Sequence, residues 1–382
     1  MSFGSSLTVL LALVSGIWIP ALILCSNRWF QRQMLYLHKV TFRPGKSLKE
    51  PERLGFLQNQ VAPFRIPTED GEELFAWLIT PLDVYGKYEE AFETENIGPD
   101  RDVENRLAFK CLKEDPESRL LIYFHGNAAT IAQTRRTEEY RLYSSGADKI
   151  YTLAFDYRGF GLSTGSPSEK GLLNDGIAVL DWALNVANIP PDRIVLLGHS
   201  LGTAVSTAVT HHFLNLENPI EFSGLVLCAS FTNGTNAFLS YAIVGLFPLL
   251  APLKVFPYLE AWFGRRMVDT WKTDERLAEV VRKSSRLHLA FIHAVDDLTM
   301  PWQQTEQLFH RAICAALPKE EIVKNLVSVD LGEAGQRETW RSAKKQLSKL
   351  IMRHGGHDTM QKWSPAALKV LQCFGLDQKR EG

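Results

Sequence analysis

Gly198-His199-Ser200-Leu201-Gly202 is the stretch that decides the fold of this 382-residue chain. The largely apolar residues 193–197 precede it, and the small residues 203–208 follow it. This order predicts a strand that runs into a glycine-flanked serine and a helix that leaves it. A nucleophile elbow needs this context, because the serine sits in a strained turn and the glycines keep Cβ atoms out of the crowded corner. G-x-S-x-G alone often occurs by chance, so its meaning depends on the residues upstream and downstream.

The composition and charge of the chain exclude several classes of protein. With 45% hydrophobic and 22% charged residues, the chain is expected to fold around a sizeable core. Its 42 basic and 43 acidic residues give a net charge of −1, which offers no electrostatic attraction for nucleic acid. The five cysteines include no C-x-x-C pair and no cluster with histidine, so neither a disulfide nor a zinc site is expected. The sequence therefore predicts a globular protein without a nucleic-acid partner, a metal or a cofactor.

An apolar run that begins at Leu7 and ends at Cys25 contains no charged residue. As a helix it would reach about 28 Å, which is close to the thickness of a bilayer core. A cleaved signal peptide is disfavoured, because no Lys or Arg precedes the run and no A-x-A-like site follows it. We expect a single-pass anchor in the endoplasmic reticulum or another endomembrane. Residues 29–38 are expected to continue it as a short amphipathic or linker helix.

The side of the membrane that the rest of the chain occupies stays open. Basic residues after the run, among them Arg28, Arg32 and Lys39, favour a cytosolic location for this flank. In contrast, Asn233-Gly234-Thr235 is an N-glycosylation sequon, which can be used only in the lumen.

Strands and helices alternate along most of the remaining chain. Residues 64–66 and 74–80 predict an antiparallel hairpin, and residues 82–118 predict a polar surface insertion. The further predicted strands are residues 119–124, 151–155, 194–197, 225–228, 289–294 and 326–331, and the predicted helices are residues 129–145, 172–188 and 363–374. Buried strands separated by helices predict an α/β fold with a mostly parallel central sheet covered on both faces.

The apolar, proline-containing residues 231–285 interrupt this alternation, and we interpret them as a helical cap over the active site. The predicted organisation is therefore an anchor and juxtamembrane helix at residues 1–45, followed by a catalytic domain in two parts. These parts are residues 46–230 and 286–382, and the cap lies between them.

A serine that carries out acyl transfer needs a histidine base and a carboxylate that orients the base. In a fold with an elbow of this kind, both follow the nucleophile in chain order, each after a later strand. His357 is the predicted base for Ser200, because it comes after the last predicted strand and two glycines and precedes the closing helix. His354 precedes the glycines and is disfavoured.

The acid is expected where the predicted strand at residues 289–294 ends. Asp297 is the predicted acid because it stands four residues before Pro301, and Asp296 remains the alternative. Asp156 also follows a strand, but it precedes the nucleophile, so we expect a structural hydrogen bond from it.

Acyl transfer also needs N–H donors aimed at the developing oxyanion, each commonly worth about 3 kcal/mol. The predicted donors are the backbone N–H groups of Asn127, in the loop after the strand at residues 119–124, and of Leu201, directly after the nucleophile. His125 is expected to hold this loop through a structural hydrogen bond.

Six motifs of the chain resemble those of the α/β-hydrolase serine hydrolases. They are HGNAAT from His125, FDYRGFGLSTGSPSEKGL from Phe155, GHSLGTAV from Gly198, FTN from Phe231, HAVDD from His293 and GGH from Gly355. In particular, the chain resembles the membrane-anchored group that includes monoacylglycerol and lysophosphatidylserine lipases. This resemblance implies the α/β-hydrolase fold, a triad of Ser200, Asp297 and His357, an N-terminal anchor and a lid.

These observations favour a membrane-associated serine hydrolase that cleaves carboxylic esters of acyl lipids, of the monoacylglycerol or lysophospholipid type. An acyl-protein thioesterase would use the same three residues, so the sequence does not separate the two. A non-catalytic α/β-hydrolase fold that serves as a membrane scaffold predicts the loss of at least one site residue, and none is lost.

Overall fold

The computed structural model of the chain describes residues 16, 20, 23–24, 26–41, 46–96, 102–240, 256–316 and 325–377. The strands of this part are β1 Val61–Pro67, β2 Glu73–Ile79, β3 Arg119–Phe124, β4 Ile150–Phe155, β5 Ile194–His199, β6 Gly224–Cys228, β7 Leu287–Ala294, β8 Leu326–Asp330, β9 Gln336–Arg341 and β10 Lys345–Met352. They form one ten-stranded sheet in the order β1-β2-β4-β3-β5-β6-β7-β10-β9-β8. The strands from β4 to β10 in this order pair in parallel. The predicted mostly parallel sheet is confirmed.

Helices pack against both faces of the sheet. The longer helices are α1 Arg28–Tyr36, α2 Leu82–Lys87, α3 Glu89–Thr94, α4 Leu107–Glu114, α5 Thr134–Tyr143, α6 Glu169–Asp181, α7 Leu201–Leu214, α8 Gly234–Ser240, α9 Pro257–Gly264, α10 Thr273–Lys283, α11 Gln303–Ala316 and α12 Ser364–Cys373. Alternate residues of a strand face opposite layers. In β3, Leu120 and Ile122 belong to one hydrophobic core with side chains of α6, α7, α10 and α11. Leu121 and Tyr123 belong to a second core with side chains of α5 and α12.

The end of the sheet near β10 differs from the prediction. Residues 326–331 were expected to form a strand, which β8 confirms, but the expectation that it is the last strand before His357 is wrong. β8 instead pairs antiparallel with β9, and β10 is the strand that lies parallel to β7. β10 contains Lys349, whose side chain is only 2% exposed because its ammonium group lies 2.6 Å from Glu306 and 3.1 Å from Glu338. Because its partners are distant in sequence, Lys349 looks like an exposed residue and interrupts the apolar pattern of β10. An analysis of apolar periodicity therefore does not detect this buried strand.

Two segments between the strands also differ in detail from the expected elements. The helix predicted at residues 129–145 begins only at Thr134, because Ala128 and Ala129 adopt left-handed backbone angles with φ of 57° and 54°. The expected surface insertion at residues 82–118 folds into short helices that bury apolar side chains, among them Phe92 and Phe109, in the first core.

The described part of the predicted cap contains α8, α9 and α10. Phe238 of α8 and Phe263 of α9 are buried together in a small separate cluster, and Phe30 and Met34 of α1 pack against it. In α10, by contrast, Leu277 and other side chains join the main core next to the sheet. Helices α8 and α9 therefore share a small apolar cluster with α1, while Ala237 of α8 belongs to the main core.

The helix expected at residues 29–38 is confirmed as α1, and the side chain of Asn27 caps its first turn. Among the residues that the structure describes, no helix has both the length and the apolar character to cross a bilayer. The anchor expected from Leu7 to Cys25 lies almost entirely outside the described residues.

Candidate active site

Ser200 occupies the sharp turn that its flanking glycines predict. It lies between β5 and α7 with φ of 50° and ψ of −116°, and its N–H donates to the carbonyl of Cys228 at 2.9 Å. A Cβ atom on Gly202 would stand 1.9 Å from the carbonyl oxygen of Phe124, and one on Gly198 would stand 2.5 Å from that of Gly202. Neither position has room for a side chain, so the two glycines allow the strand, the turn and the helix to close on one another.

His357 and Asp297 lie in contact beyond the ends of adjacent parallel strands. His357 Nδ1 donates to Asp297 Oδ2 at 2.7 Å, and the ring of His293 lies 3.1 Å from the same oxygen. The other carboxylate oxygen accepts from the N–H groups of Thr299 and Met300, both at 2.8 Å. These contacts fix the Asp297 side chain, which is fully buried.

The two side chains shift each other's protonation. Burial alone lowers the pKa of His357, but the charge of Asp297 and its hydrogen bond outweigh this effect and hold the pKa above its ordinary value. Burial raises the pKa of Asp297, but His357 and the hydrogen bond from His293 reverse this and hold the pKa far below its usual value. Asp297 is therefore ionised at neutral pH and can stabilise a protonated His357.

The structure distinguishes the two adjacent aspartates and the two nearby histidines. The carboxylate of Asp296 does not reach His357 but accepts from the backbone N–H groups of Gly355 and Gly356, at 3.3 Å and 2.8 Å. It therefore holds the loop on which His357 stands. The side chain of His354 is 69% exposed and faces Asp296 and Glu333 at 3.9 Å.

The loop after β3 carries Asn127 close to Ser200. An added Cβ atom on Gly126 would lie 3.3 Å from Cβ of Ser200, so the loop and the elbow touch. Within the described residues, the backbone N–H groups of Asn127 and Leu201 donate no hydrogen bond to the protein. Asn127 lines a cavity together with Ser200, whereas Leu201 follows Ser200 directly in the chain.

Arg136, which the sequence did not single out, holds the same loop in place. Its guanidinium group is buried and donates to four backbone carbonyls, at distances between 2.8 and 3.2 Å. The acceptors belong to Gly126, Asn127, Ala128 and Thr130. One cation therefore fixes the loop that presents the Asn127 N–H.

The last residue of α1 and the segment after it also support this loop. The N–H of Ala128 donates to the carbonyl of Tyr36 at 2.9 Å, and the N–H of Ala129 donates to that of Val40 at 2.7 Å. These are backbone contacts, so no residue type in the sequence signals them.

His125 and Asp156 lie beneath the loop, where structural roles were expected of both. His125 Nδ1 donates to the carbonyl of Gly126 at 2.6 Å, and Asp156 accepts from the N–H of Ile131 at 2.8 Å. The imidazole ring of His125 and the carboxylate of Asp156 are both fully buried. Burial therefore lowers the pKa of His125 and raises that of Asp156 to about 7.

A cavity of about 180 Å³ opens beside these groups. Asn127, Ser200 and His357 line it, together with polar side chains that include Glu139 and Gln361. Burial raises the pKa of the Glu139 carboxyl to about 8. The cavity therefore combines the candidate nucleophile, base and oxyanion donor with a polar wall.

Only one group of described residues has the donor atoms and spacing to hold a metal ion. His199, His357 and Asp358 each offer one ligand atom, and these atoms lie within 4.8 Å of one another. No motif signals this group, because His199 and His357 are distant along the chain.

Comparison with known proteins identifies the family of this chain. Residues 121–370, which include Asn127, Ser200, Asp297 and His357, match the alpha/beta hydrolase family. The chain belongs to the alpha/beta hydrolase family. The alpha-beta hydrolase of Vibrio vulnificus superimposes with a TM-score of 0.57, at 14% identity over 90% of this chain and 92% of that one, which supports the same fold.

Several relatives of this hydrolase are named as lipases. Lysophosphatidylserine lipase ABHD12 of Xenopus tropicalis is 28% identical over 81% of this chain and 72% of its own length. The protein of that name from Gallus gallus is 28% identical over 77% of this chain and 69% of its own length. Protein ABHD12B of Homo sapiens is 32% identical, over 53% of this chain and 52% of its own length. The family and these relatives make the chain a carboxylic ester hydrolase, as its sequence motifs predicted.

Proposed function

We propose that this hydrolase cleaves carboxylic esters of acyl lipids, of the monoacylglycerol or lysophospholipid type, through an acyl-enzyme on Ser200. The observation that carries the mechanism is the 2.7 Å hydrogen bond between His357 and Asp297 in the cavity next to Ser200. With Nδ1 donating to Asp297, the second ring nitrogen of His357 is free to act as a base.

In the proposed reaction, the Oγ atom of Ser200 attacks the ester carbonyl while Nε2 of His357 accepts its proton. The N–H groups of Asn127 and Leu201 stabilise the negative oxygen that forms. His357 then gives its proton to the alcohol, the ester C–O bond breaks, and the acyl group stays on Ser200. Water attacks the acyl-enzyme with His357 again as the base, which releases the fatty acid and free Ser200.

Three observations support a lipid substrate at a membrane surface. The relatives that share most of this chain's length are named as lysophosphatidylserine lipases. The sequence from Leu7 to Cys25 has the length and apolar character of an anchor. In the structure, Tyr258 of α9 is 90% exposed and Trp29 of α1 is 67% exposed, which is typical of aromatic side chains that meet the bilayer interface.

Labelling of the full-length protein in detergent with a fluorophosphonate probe tests the nucleophile. We expect labelling of the wild type and of Ser206→Ala, a buried serine of α7, and none of Ser200→Ala. Labelling that persists in Ser200→Ala would reject Ser200, and absence of labelling in all three would favour the non-catalytic scaffold.

The substrate class is tested by comparing a monoacylglycerol, a lysophospholipid and an S-acylated peptide under the same conditions. Faster release of fatty acid from the two esters supports the lipase proposal, and preference for the peptide supports an acyl-protein thioesterase.

Extraction of cell membranes with sodium carbonate tests the anchor, since a membrane-spanning protein stays in the pellet. Digestion with a glycosidase, with Asn233→Gln as the control, reports whether the catalytic domain is lumenal.

A further inference from the structure

Two imidazoles and a carboxylate converge on one side of the cavity next to Ser200. A ring nitrogen of His199, a ring nitrogen of His357 and a carboxylate oxygen of Asp358 lie within 4.8 Å of one another. All three residues line the cavity, so a small ion can reach them from solvent.

The hydrogen bonds of the two imidazoles prepare them as metal ligands. His357 Nδ1 donates to Asp297 at 2.7 Å, which leaves the lone pair of Nε2 available. His199 Nε2 donates to the backbone carbonyl of His357 at 2.9 Å, which leaves the lone pair of Nδ1 available. A histidine that binds a metal almost always donates its other ring N–H to a carboxylate or a backbone carbonyl. Both supporting partners are already in place.

The third ligand is held by a residue that competes with a metal. One oxygen of Asp358 accepts from the guanidinium group of Arg135 at 2.7 Å, and this ion pair is about half exposed to solvent. The second carboxylate oxygen remains for a metal. The ion pair therefore weakens, but does not block, the contribution of Asp358.

The donor set selects the kind of ion. Two imidazole nitrogens and one carboxylate oxygen, with water in the fourth position, form a common tetrahedral zinc site. Magnesium and calcium prefer sites made of oxygen atoms alone, so they fit this group poorly.

We propose that His199, His357 and Asp358 form an inhibitory zinc site in the cavity. A zinc ion on Nε2 of His357 would occupy the lone pair that accepts the proton of Ser200, so binding and hydrolysis exclude each other. The inhibitory effect rests on the proposed role of His357 as the base, whereas zinc binding itself does not.

Two substitutions with opposite expected effects test the site on the full-length protein. Zinc affinity is measured by competition with a chromogenic chelator, and inhibition is measured on a water-soluble p-nitrophenyl ester, with EDTA to reverse it. Asp358→Asn removes a ligand and should weaken zinc binding and inhibition about ten-fold or more, since even the loss of a supporting residue costs about that much. Arg135→Ala releases the carboxylate of Asp358, so it should raise the affinity for zinc and strengthen the inhibition by zinc. Magnesium should neither bind nor inhibit.

The outcomes separate the zinc site from the proposed function. Zinc that binds equally well to the wild type and to a correctly folded Asp358→Asn variant, as judged by circular dichroism, overturns the proposal, and so does the absence of binding. Ser200→Ala should bind zinc with unchanged affinity. If the wild type binds zinc but hydrolyses no ester, the proposed function fails while the metal site stands.

Discussion

The N–H of Ala129 donates a hydrogen bond to the carbonyl of Val40 at 2.7 Å, which ties the loop that carries Asn127 to the segment after α1. Helix α1 itself is hydrogen-bonded to the segment after α9. The side chain of Gln31 donates to the carbonyl of Arg266 at 3.1 Å and accepts from the N–H of Val268 at 3.2 Å. Helix α1 and the residues after it thus connect the segment after α9 with the loop that carries Asn127.

Gln31→Ala should therefore lower kcat about ten-fold with a smaller change in KM, because a small displacement of the loop moves the N–H donor away from the oxyanion. Hydrogen exchange, followed by mass spectrometry, should show faster exchange in the peptide that contains Ala128 and Ala129.

The matched control is Gln33→Ala, the same substitution two positions along α1, where the side chain makes no hydrogen bond within the described residues. It should leave kcat and the exchange rate as in the wild type. Equal effects of both variants would show that α1 acts only through overall stability.

Arg136→Lys should lower kcat by about 10²-fold, since an ammonium group cannot reach the four carbonyls that the guanidinium group binds, and the loop loses its fixed geometry. Arg141→Lys is the control, because Arg141 belongs to the same helix but bonds the carbonyl of Leu54, outside the cavity. Steady-state kinetics at saturating substrate, together with thermal unfolding, separates a loss of loop geometry from a loss of stability. Unchanged kcat in Arg136→Lys would contradict the role of Arg136.

The pH profile of kcat/KM should report the protonation of His357. The base acts only when neutral, and Asp297 raises its pKa above the ordinary histidine value, so activity should fall as the pH is lowered through this raised pKa. Asp297→Asn removes the charge, which should move this acid limb to lower pH and reduce kcat about 10⁴-fold.

Asp296→Asn provides the comparison, because Asp296 contacts the backbone of the His357 loop rather than the imidazole. Its acid limb should stay in place, although kcat is expected to fall moderately. A shift of the limb in Asp296→Asn but not in Asp297→Asn would exchange the roles of the two aspartates.

Gly202→Ala should abolish labelling by a fluorophosphonate and destabilise the protein by about 1–3 kcal/mol, because its Cβ atom would meet the carbonyl of Phe124 at 1.9 Å. Gly86→Ala, in α2, provides the control: its Cβ atom would meet no heavy atom within 4 Å, and an alanine in a helix should add about 0.5–1 kcal/mol of stability. Chemical denaturation of both variants measures the two changes.

Much of the fold and the central residues of the site could be predicted from local sequence. Strands β3 to β7 are short apolar runs between helices, so their pattern is visible without knowledge of the fold. Ser200 and His357 are marked by their flanking glycines. The choice of Asp297 over Asp296 depended on their spacing from Pro301, and the structure places Asp297 in contact with His357.

What the sequence did not predict depends on contacts between distant parts of the chain. Lys349 resembles a surface residue until Glu306 and Glu338 are brought to it, so β10 was missed. Arg136 looks like any arginine on a polar helix, and only the folded loop presents four carbonyls to it. The contacts of Tyr36 and Val40 involve the backbone and carry no residue signature.

Asp297 and His357 are separated by 60 residues, but they follow β7 and β10, which are adjacent in the sheet. Among the described residues, helix α11 and the hairpin β8–β9, which fill this interval, provide none of the residues that line the cavity. The spacing of the acid and the base is set by the pairing of two strands rather than by the length of the connection. The hairpin turn at residues 332–335 is therefore a suitable position for inserting an affinity tag or a reporter domain into an active enzyme.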